Sequence, residues 1–153
     1  MPELETARRV VDPSDCDILG HMNVNHYFLF CSDGGFGLQA AFGLDRNDIV
    51  KGRQKSFAVV HASSDFFAEV LAGDILYLRS GTLEIGNSSA SFRHQLFRAS
   101  DDKLVFQSVF KTVLMDLTTR RAAAIPDETK SRMQGFLITE DRGKRPGDHS
   151  SAR

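Results

Sequence analysis

Residues 24–42, VNHYFLFCSDGGFGLQAAF, hold one formally charged side chain, Asp33, in a stretch long enough for roughly five helical turns. A helix on the surface of a globular protein needs a polar stripe facing water, and this one barely has it. Asn25, His26, Ser32, Asp33 and three glycines argue against a membrane span. The remaining option is a helix largely surrounded by protein. Asn23 stands where an N-cap is needed. Gly34, Gly35 and Gly37 each cost about 1 kcal/mol of helix propensity. They predict that another backbone approaches closely at that turn, or that the helix breaks there.

The cover has to come from the rest of the chain, which reads as strands. Residues 5–11 form a first strand, broken by Asp12-Pro13-Ser14. In 57–67, Ala58, Val60, Ala62, Ser64 and Phe66 alternate with Phe57, Val59, His61, Ser63 and Asp65. Ala72-Gly73-Asp74 turns into a strand over 75–85, and Gly86-Asn87 is a hairpin signal before 89–99. Asp101-Asp102 turns into the longest strand, 104–115, and Pro126 opens a short final helix. A twisted antiparallel sheet wrapped around one long helix satisfies this order and hides the helix, giving an α+β fold. Residues 1–138 form the folded unit. From Thr139 to Arg153 only Ala152 is apolar, so this tail is expected to be disordered.

Composition narrows the function classes. A net charge of −1 gives no electrostatic footprint for nucleic acid. Cys16 and Cys31 are too few for a disulfide framework and match no zinc spacing. No apolar run reaches membrane length, and MPELETARR lacks the apolar core of a signal peptide, so a cytoplasmic protein is expected. With 153 residues the chain fits one domain.

Directly ahead of the helix lies the densest polar cluster, Asp15-Cys16-Asp17 followed by Gly20-His21-Met22-Asn23 and Tyr27. With the helix behind it, this motif resembles that of hotdog-fold acyl-CoA thioesterases, in particular the group that includes 4-hydroxybenzoyl-CoA thioesterase. Ala72-Gly73-Asp74, Gly86-Asn87-Ser88-Ser89 and Ile125-Pro126 match weaker landmarks of that family. The chain departs from it at Val24, where a second Asn is common. It departs again at Ser32, where a Glu is common, and Asp33 follows. No acidic catalytic role on the helix is therefore carried over.

Each residue of the motif has a plain reading beside a functional one. Asp17 can cap a turn, and the resemblance implies a catalytic carboxylate acting as base or nucleophile on a thioester. Asp15 reads as a loop residue. Cys16 stands between two carboxylates, which disfavour the thiolate a nucleophile needs. Gly20 permits a backbone turn that a side chain would block. His21 and Asn23 either shape the helix entry or hydrogen-bond the attacking water and Asp17. The first turn of a helix has unpaired N–H groups and the positive dipole end. The resemblance assigns the Val24 amide there as the oxyanion donor. Tyr27 is a core helix residue whose hydroxyl reaches the site or a partner subunit. A metal site from Asp17, His21 and His26 is not expected, because positions five apart lie on different helix faces. His61 and His94 read as packed or surface histidines on strands.

The resemblance also implies two protomers sharing a cleft, so a homodimer or a tetramer of dimers is expected. Residues His61 to Asp65, with His61 and Ser63 as substrate contacts, are candidates to line the cleft from the partner. Arg53, Lys55, Arg79, Arg93 and Lys111 are candidates for the CoA phosphates. No cofactor is expected. The competing readings are an acyl-CoA-binding sensor without hydrolysis and a hotdog hydratase or dehydratase.

Overall fold

Residues 3–44 and 55–139 are described in a computed structural model of the chain. Residues 140–153, where the tail is expected, and Arg53 lie outside them. The elements run β1 (Leu4–Val10), a 3-10 turn (Pro13–Asp15), α1 (Val24–Ala41), β2 (Lys55–Phe66), β3 (Ile75–Ile85), β4 (Ser89–Arg98), β5 (Lys103–Asp116) and α2 (Asp127–Gln134). The strands form one sheet in the order β1-β3-β4-β5-β2. Every neighbouring pair is antiparallel. This is the α+β arrangement that the alternation of strand signals behind one long helix predicts.

α1 runs through its three glycines without breaking, and close approach explains two of them, most strongly Gly34 and less so Gly37, where a Cβ would stand 3.2 Å from Thr6 Cβ. A Cβ on Gly34 would stand 2.4 Å from Leu78 Cδ2 and 2.9 Å from Ser80 Oγ, so the helix axis can press onto β3 only because that side chain is missing. At Gly35 a Cβ would meet nothing within 4 Å. Two substitutions should therefore act in opposite directions. Gly34→Val is expected to destabilise the fold by about 1–3 kcal/mol through overpacking. Gly35→Ala is expected to stabilise it by up to about 1 kcal/mol through helix propensity. Denaturant midpoints of the two variants check both signs.

Tyr27, Phe30, Cys31, Gly34 and Leu38 form the buried stripe of α1, at the spacing of one helix face. Tyr27, Phe30 and Cys31 pack with Val11, Met22, Leu76, Leu78, Leu96 and Phe106 in one core cluster. Leu38 packs with Phe42, Phe57, Phe92, Leu114 and Met133 in a second cluster, which α2 closes. Within a single chain α1 is less enclosed than the expectation of a helix largely surrounded by protein. Val24, Phe28, Leu29 and Phe36 are 51%, 36%, 47% and 59% exposed on the opposite face. That is why the sequence looked buried all round: the outward face is apolar too.

β2 ends the sheet, and among the described residues no strand pairs with its outer edge. Val59 and Val60 on it are 52% and 65% exposed. Its register against β5 shifts between Val59 and His61, with Phe57 opposite Leu114, Val59 opposite Thr112, and Ala62 opposite Phe110. One extra residue at Val60 inverts the alternation. Phe57 and Val59 therefore share the helix-facing side of the sheet with Ala62, Ser64 and Phe66. His61 and Ser63 pair with Lys111 and Val109 on the other side.

Candidate active site

The polar loop folds as a small hairpin before α1. Cys16 and Met22 form an isolated bridge, the Asp17 N–H donates to the His21 carbonyl at 3.2 Å, and the Gly20 N–H donates to the Asp17 carbonyl at 3.0 Å. Gly20 closes this turn at φ +84°, a conformation that side chains disfavour. Asp15 anchors the base of the loop. It is buried, accepts from the Arg9 guanidinium and from the Asp12 N–H at 3.0 Å, and lies 3.5 Å from His26 Nδ1. Its role is structural, as the sequence suggested, and His26 turns toward it rather than toward Asp17.

Asp17 is held by both oxygens. The Leu19 N–H donates to Oδ1 at 2.8 Å, and Asn23 Nδ2 donates to Oδ2 at 2.7 Å. The Leu19 amide, then the Asn23 amide, hold the Asp17 carboxyl below its ordinary value; desolvation opposes them, and nearby His21 adds to the lowering. The same Asn23 accepts from the Asn25 N–H at 3.1 Å through Oδ1. The two readings of Asn23 are thus one geometry: it caps α1 and fixes the carboxylate beside the cap. Val24 is the first residue of α1, where an N–H has no intrahelical acceptor.

This corner opens on a cleft of about 450 Å³ lined by His21, Met22, Val24, Tyr27, Phe66, Phe67, Ala68 and Glu69. Tyr27 stands edge-on to Phe66 with centroids 5.0 Å apart, and tilted to Phe106 at 4.9 Å. Burial pushes its phenol up, so it meets a ligand as a neutral group. The His21 ring lies with Nδ1 3.3 Å from the Met22 carbonyl. Of the predicted site residues His21, Val24 and Tyr27 line the cleft, and Asp17, Gly20 and Asn23 stand in the loop that leads into α1.

His61 and Ser63 are not part of this cleft within one chain, because the Val60 bulge turns them to the far side of the sheet. The end of β2 and its continuation supply Phe66, Phe67, Ala68 and Glu69 instead. Glu69 is the charged residue that follows this apolar run, and that was its only signal in the sequence. Among the basic candidates Arg93 is corrected: it is 7% exposed and paired with Glu3 at 2.6 Å, inside the fold rather than at an entrance. Arg79 and Lys111 pair with Gln95 and His61 on the side of the sheet away from α1. Lys55 is half-buried at the start of β2. Arg98, paired with Asp101 at 2.7 Å, and Lys103 stand in a surface depression of about 480 Å³ that shares Ala68 and Glu69 with the cleft.

The two cysteines differ sharply in reach. Cys31 is fully buried and its thiol is pushed up to about 12, whereas Cys16 is part-exposed at the loop. A thiol reagent is expected to label Cys16 alone in the native protein and both after unfolding, as intact mass shows. Cys16→Ser is expected to retain most turnover.

No helix among the described residues is long and apolar enough to cross a membrane. The family model of the thioesterase-like superfamily matches residues 11–133. A 1,4-dihydroxy-2-naphthoyl-CoA hydrolase of Synechococcus sp. (strain CC9605) is 27% identical over 131 residues, covering 82% of this chain and 86% of the relative. A Staphylococcus aureus protein solved in complex with CoA superposes with a TM-score of 0.81 at 16% identity, covering 95% of this chain and 96% of that one. The 1,4-dihydroxy-2-naphthoyl-CoA thioesterase of Synechocystis gives 0.72 at 22% identity, covering 85% and 95%. The hotdog fold that the resemblance implied is the fold found, and with four-fifths of its length inside the family match the chain belongs to the thioesterase-like superfamily.

Proposed function

We propose that the chain hydrolyses an acyl-CoA thioester to the free acid and CoA. The observation that carries this reading is Asn23, which joins the helix cap to the Asp17 carboxylate. A thioester carbonyl placed at the start of α1 accepts from the Val24 N–H, and the dipole of the helix favours the oxygen as it becomes negative. Asp17 stands on the same corner. As base it takes a proton from water, whose oxygen bonds to the carbonyl carbon. As nucleophile it forms an anhydride that water then cleaves. In both routes the C–S bond breaks and the CoA sulfur leaves with a proton. His21 and Tyr27 border the reacting group, and Gly20 lets the loop turn beneath it.

The curated relative's name, which specifies a CoA thioester, supports the substrate class. The working unit is a homodimer, or a tetramer of dimers, joined through the β2 edge and the exposed face of α1. Covering half-exposed Val24, Phe28, Leu29, Phe36, Val59 and Val60 gains on the order of 1 kcal/mol each, and strand pairing removes an open edge. Arg98 and Lys103 are positioned for the phosphates of a CoA chain leaving the cleft. Release of free thiol from a panel of short, long, branched and aromatic acyl-CoAs tests the activity. Thiol release is expected, and tight binding without release would make the protein a sensor instead.

A further inference from the structure

Asp15 stands at the open end of the hairpin whose turn carries Asp17, and its carboxylate has no part in the hydrolysis. The residue is 6% exposed. A carboxylate withdrawn this far from water is destabilising unless it is paired. Three elements pair it. The Arg9 guanidinium reaches it from β1, with its carbon 5.7 Å from the centroid of the Phe30 ring on α1. The Asp12 N–H donates to it at 3.0 Å from the head of the 3-10 turn. His26, in the first turn of α1, holds Nδ1 3.5 Å from Oδ1. That nitrogen is buried without a hydrogen-bond partner, and a small approach toward Asp15 makes one.

What Asp15 fixes is passed to Asn23. The Asp15 carbonyl accepts from the Asn23 N–H at 2.9 Å, beside the Cys16–Met22 bridge. Asn23 Nδ2 donates to Asp17 Oδ2 at 2.7 Å, and Asn23 Oδ1 accepts from the Asn25 N–H at 3.1 Å. A displaced Asp15 therefore displaces Asn23, and with it the carboxylate and the end of α1 that carries the Val24 N–H. Charge and position predict opposite signs. Neighbouring carboxylates disfavour each other's ionised form, so loss of the Asp15 charge by itself lowers the Asp17 pKa. Displacement of Asn23 raises it. The Leu19 N–H and then the Asn23 amide hold the Asp17 carboxyl down, and the second of these is lost.

We propose that Asp15, braced by Arg9 and His26, is the positioning residue of the Asp17 corner: it fixes Asn23, and through Asn23 it sets the carboxylate against the first turn of α1. The effect on turnover rests on the thioesterase reading. Asp15→Ala and Asp15→Glu test the proposal, because the first removes the charge and the second keeps it while displacing the contacts. The Asp17 carboxyl is followed by ¹³C NMR through an acid titration of the folded proteins and is assigned by its absence in Asp17→Asn. In both variants it is expected to titrate higher than in the wild type. kcat is expected to fall about tenfold, with KM held within about twofold. An Asp17 carboxyl that titrates unchanged or lower in either folded variant would overturn the proposal, as would a loss confined to KM. The wild type gives a reading that needs no variant. Its Asn23 N–H is expected to exchange with solvent as slowly as the N–H groups in the buried turns of α1, and exchange at the rate of an open loop would overturn the proposal even where neither variant folds. A raised Asp17 titration without hydrolysis of any acyl-CoA supports the brace and rejects the thioesterase. Hydrolysis with an unmoved Asp17 titration rejects the brace and leaves the thioesterase intact.

Discussion

Asp17→Asn is expected to lower turnover by about two to four orders of magnitude while acyl-CoA still binds. The substitution keeps the shape and an oxygen that can accept from the Leu19 N–H or the Asn23 amide, but removes the charge that draws a proton from water or attacks the carbonyl. The pH dependence follows from the direction of the shift. Hydrogen bonds to the ionised form hold the Asp17 carboxyl below its ordinary value, so the active carboxylate is present throughout the neutral range. It is lost only as pH falls through that lowered value. The acid limb of the kcat/KM profile is therefore expected below the usual carboxylate range. Replacing Asn23 by Leu should move that limb upward, because the second-largest source of the lowering is then gone. Steady-state kinetics carried down into strong acid, below the usual carboxylate range, and up to neutral pH checks both. Near-normal turnover in Asp17→Asn would remove Asp17 from the mechanism.

Val60→Lys is expected to convert the protein to monomers near 17.0 kDa and to abolish most activity with them. Val60 is 65% exposed and sits at the bulge of the edge strand, so a lysine there costs a single chain little. In a two-fold pair joined through β2 the same change brings two like charges together near the axis, where unscreened repulsion is largest. It also separates the cleft of each copy from the surface that closes it. Light scattering alongside thiol release measures both effects. A Val60→Lys protein that remains dimeric would place the interface elsewhere, and an active monomer would refute a shared cleft.

The fold was legible because its strongest signals are local. Asn23 ahead of a run with a single charged residue marks α1, and Ala72-Gly73-Asp74, Gly86-Asn87 and Asp101-Asp102 mark the turns between β2, β3, β4 and β5. The Asp17 corner was legible for the same reason: Asp17, Gly20, Asn23 and Val24 lie within eight residues and fold against one another. What failed was long-range. Nothing in the sequence of β2 announces the extra residue at Val60, so two alternating sets were legible but not the switch of face between Val59 and His61. Arg93 looked like a surface cation because its partner, Glu3, is ninety residues away in the chain. Glu69 became a wall of the cleft only through the path of the chain after β2, whose last residue, Phe66, stands edge-on to Tyr27.

The central claim is that a thioester lies with its carbonyl on the first turn of α1 and its carbon within reach of Asp17. A crystal structure of Asp17→Asn with an acyl-CoA that the wild type hydrolyses measures this directly. The account predicts the thioester oxygen within about 3.2 Å of the Val24 nitrogen, with residue 17 beside the carbonyl carbon. An ordered acyl-CoA whose thioester lies away from the Asp17–Val24 corner would contradict it.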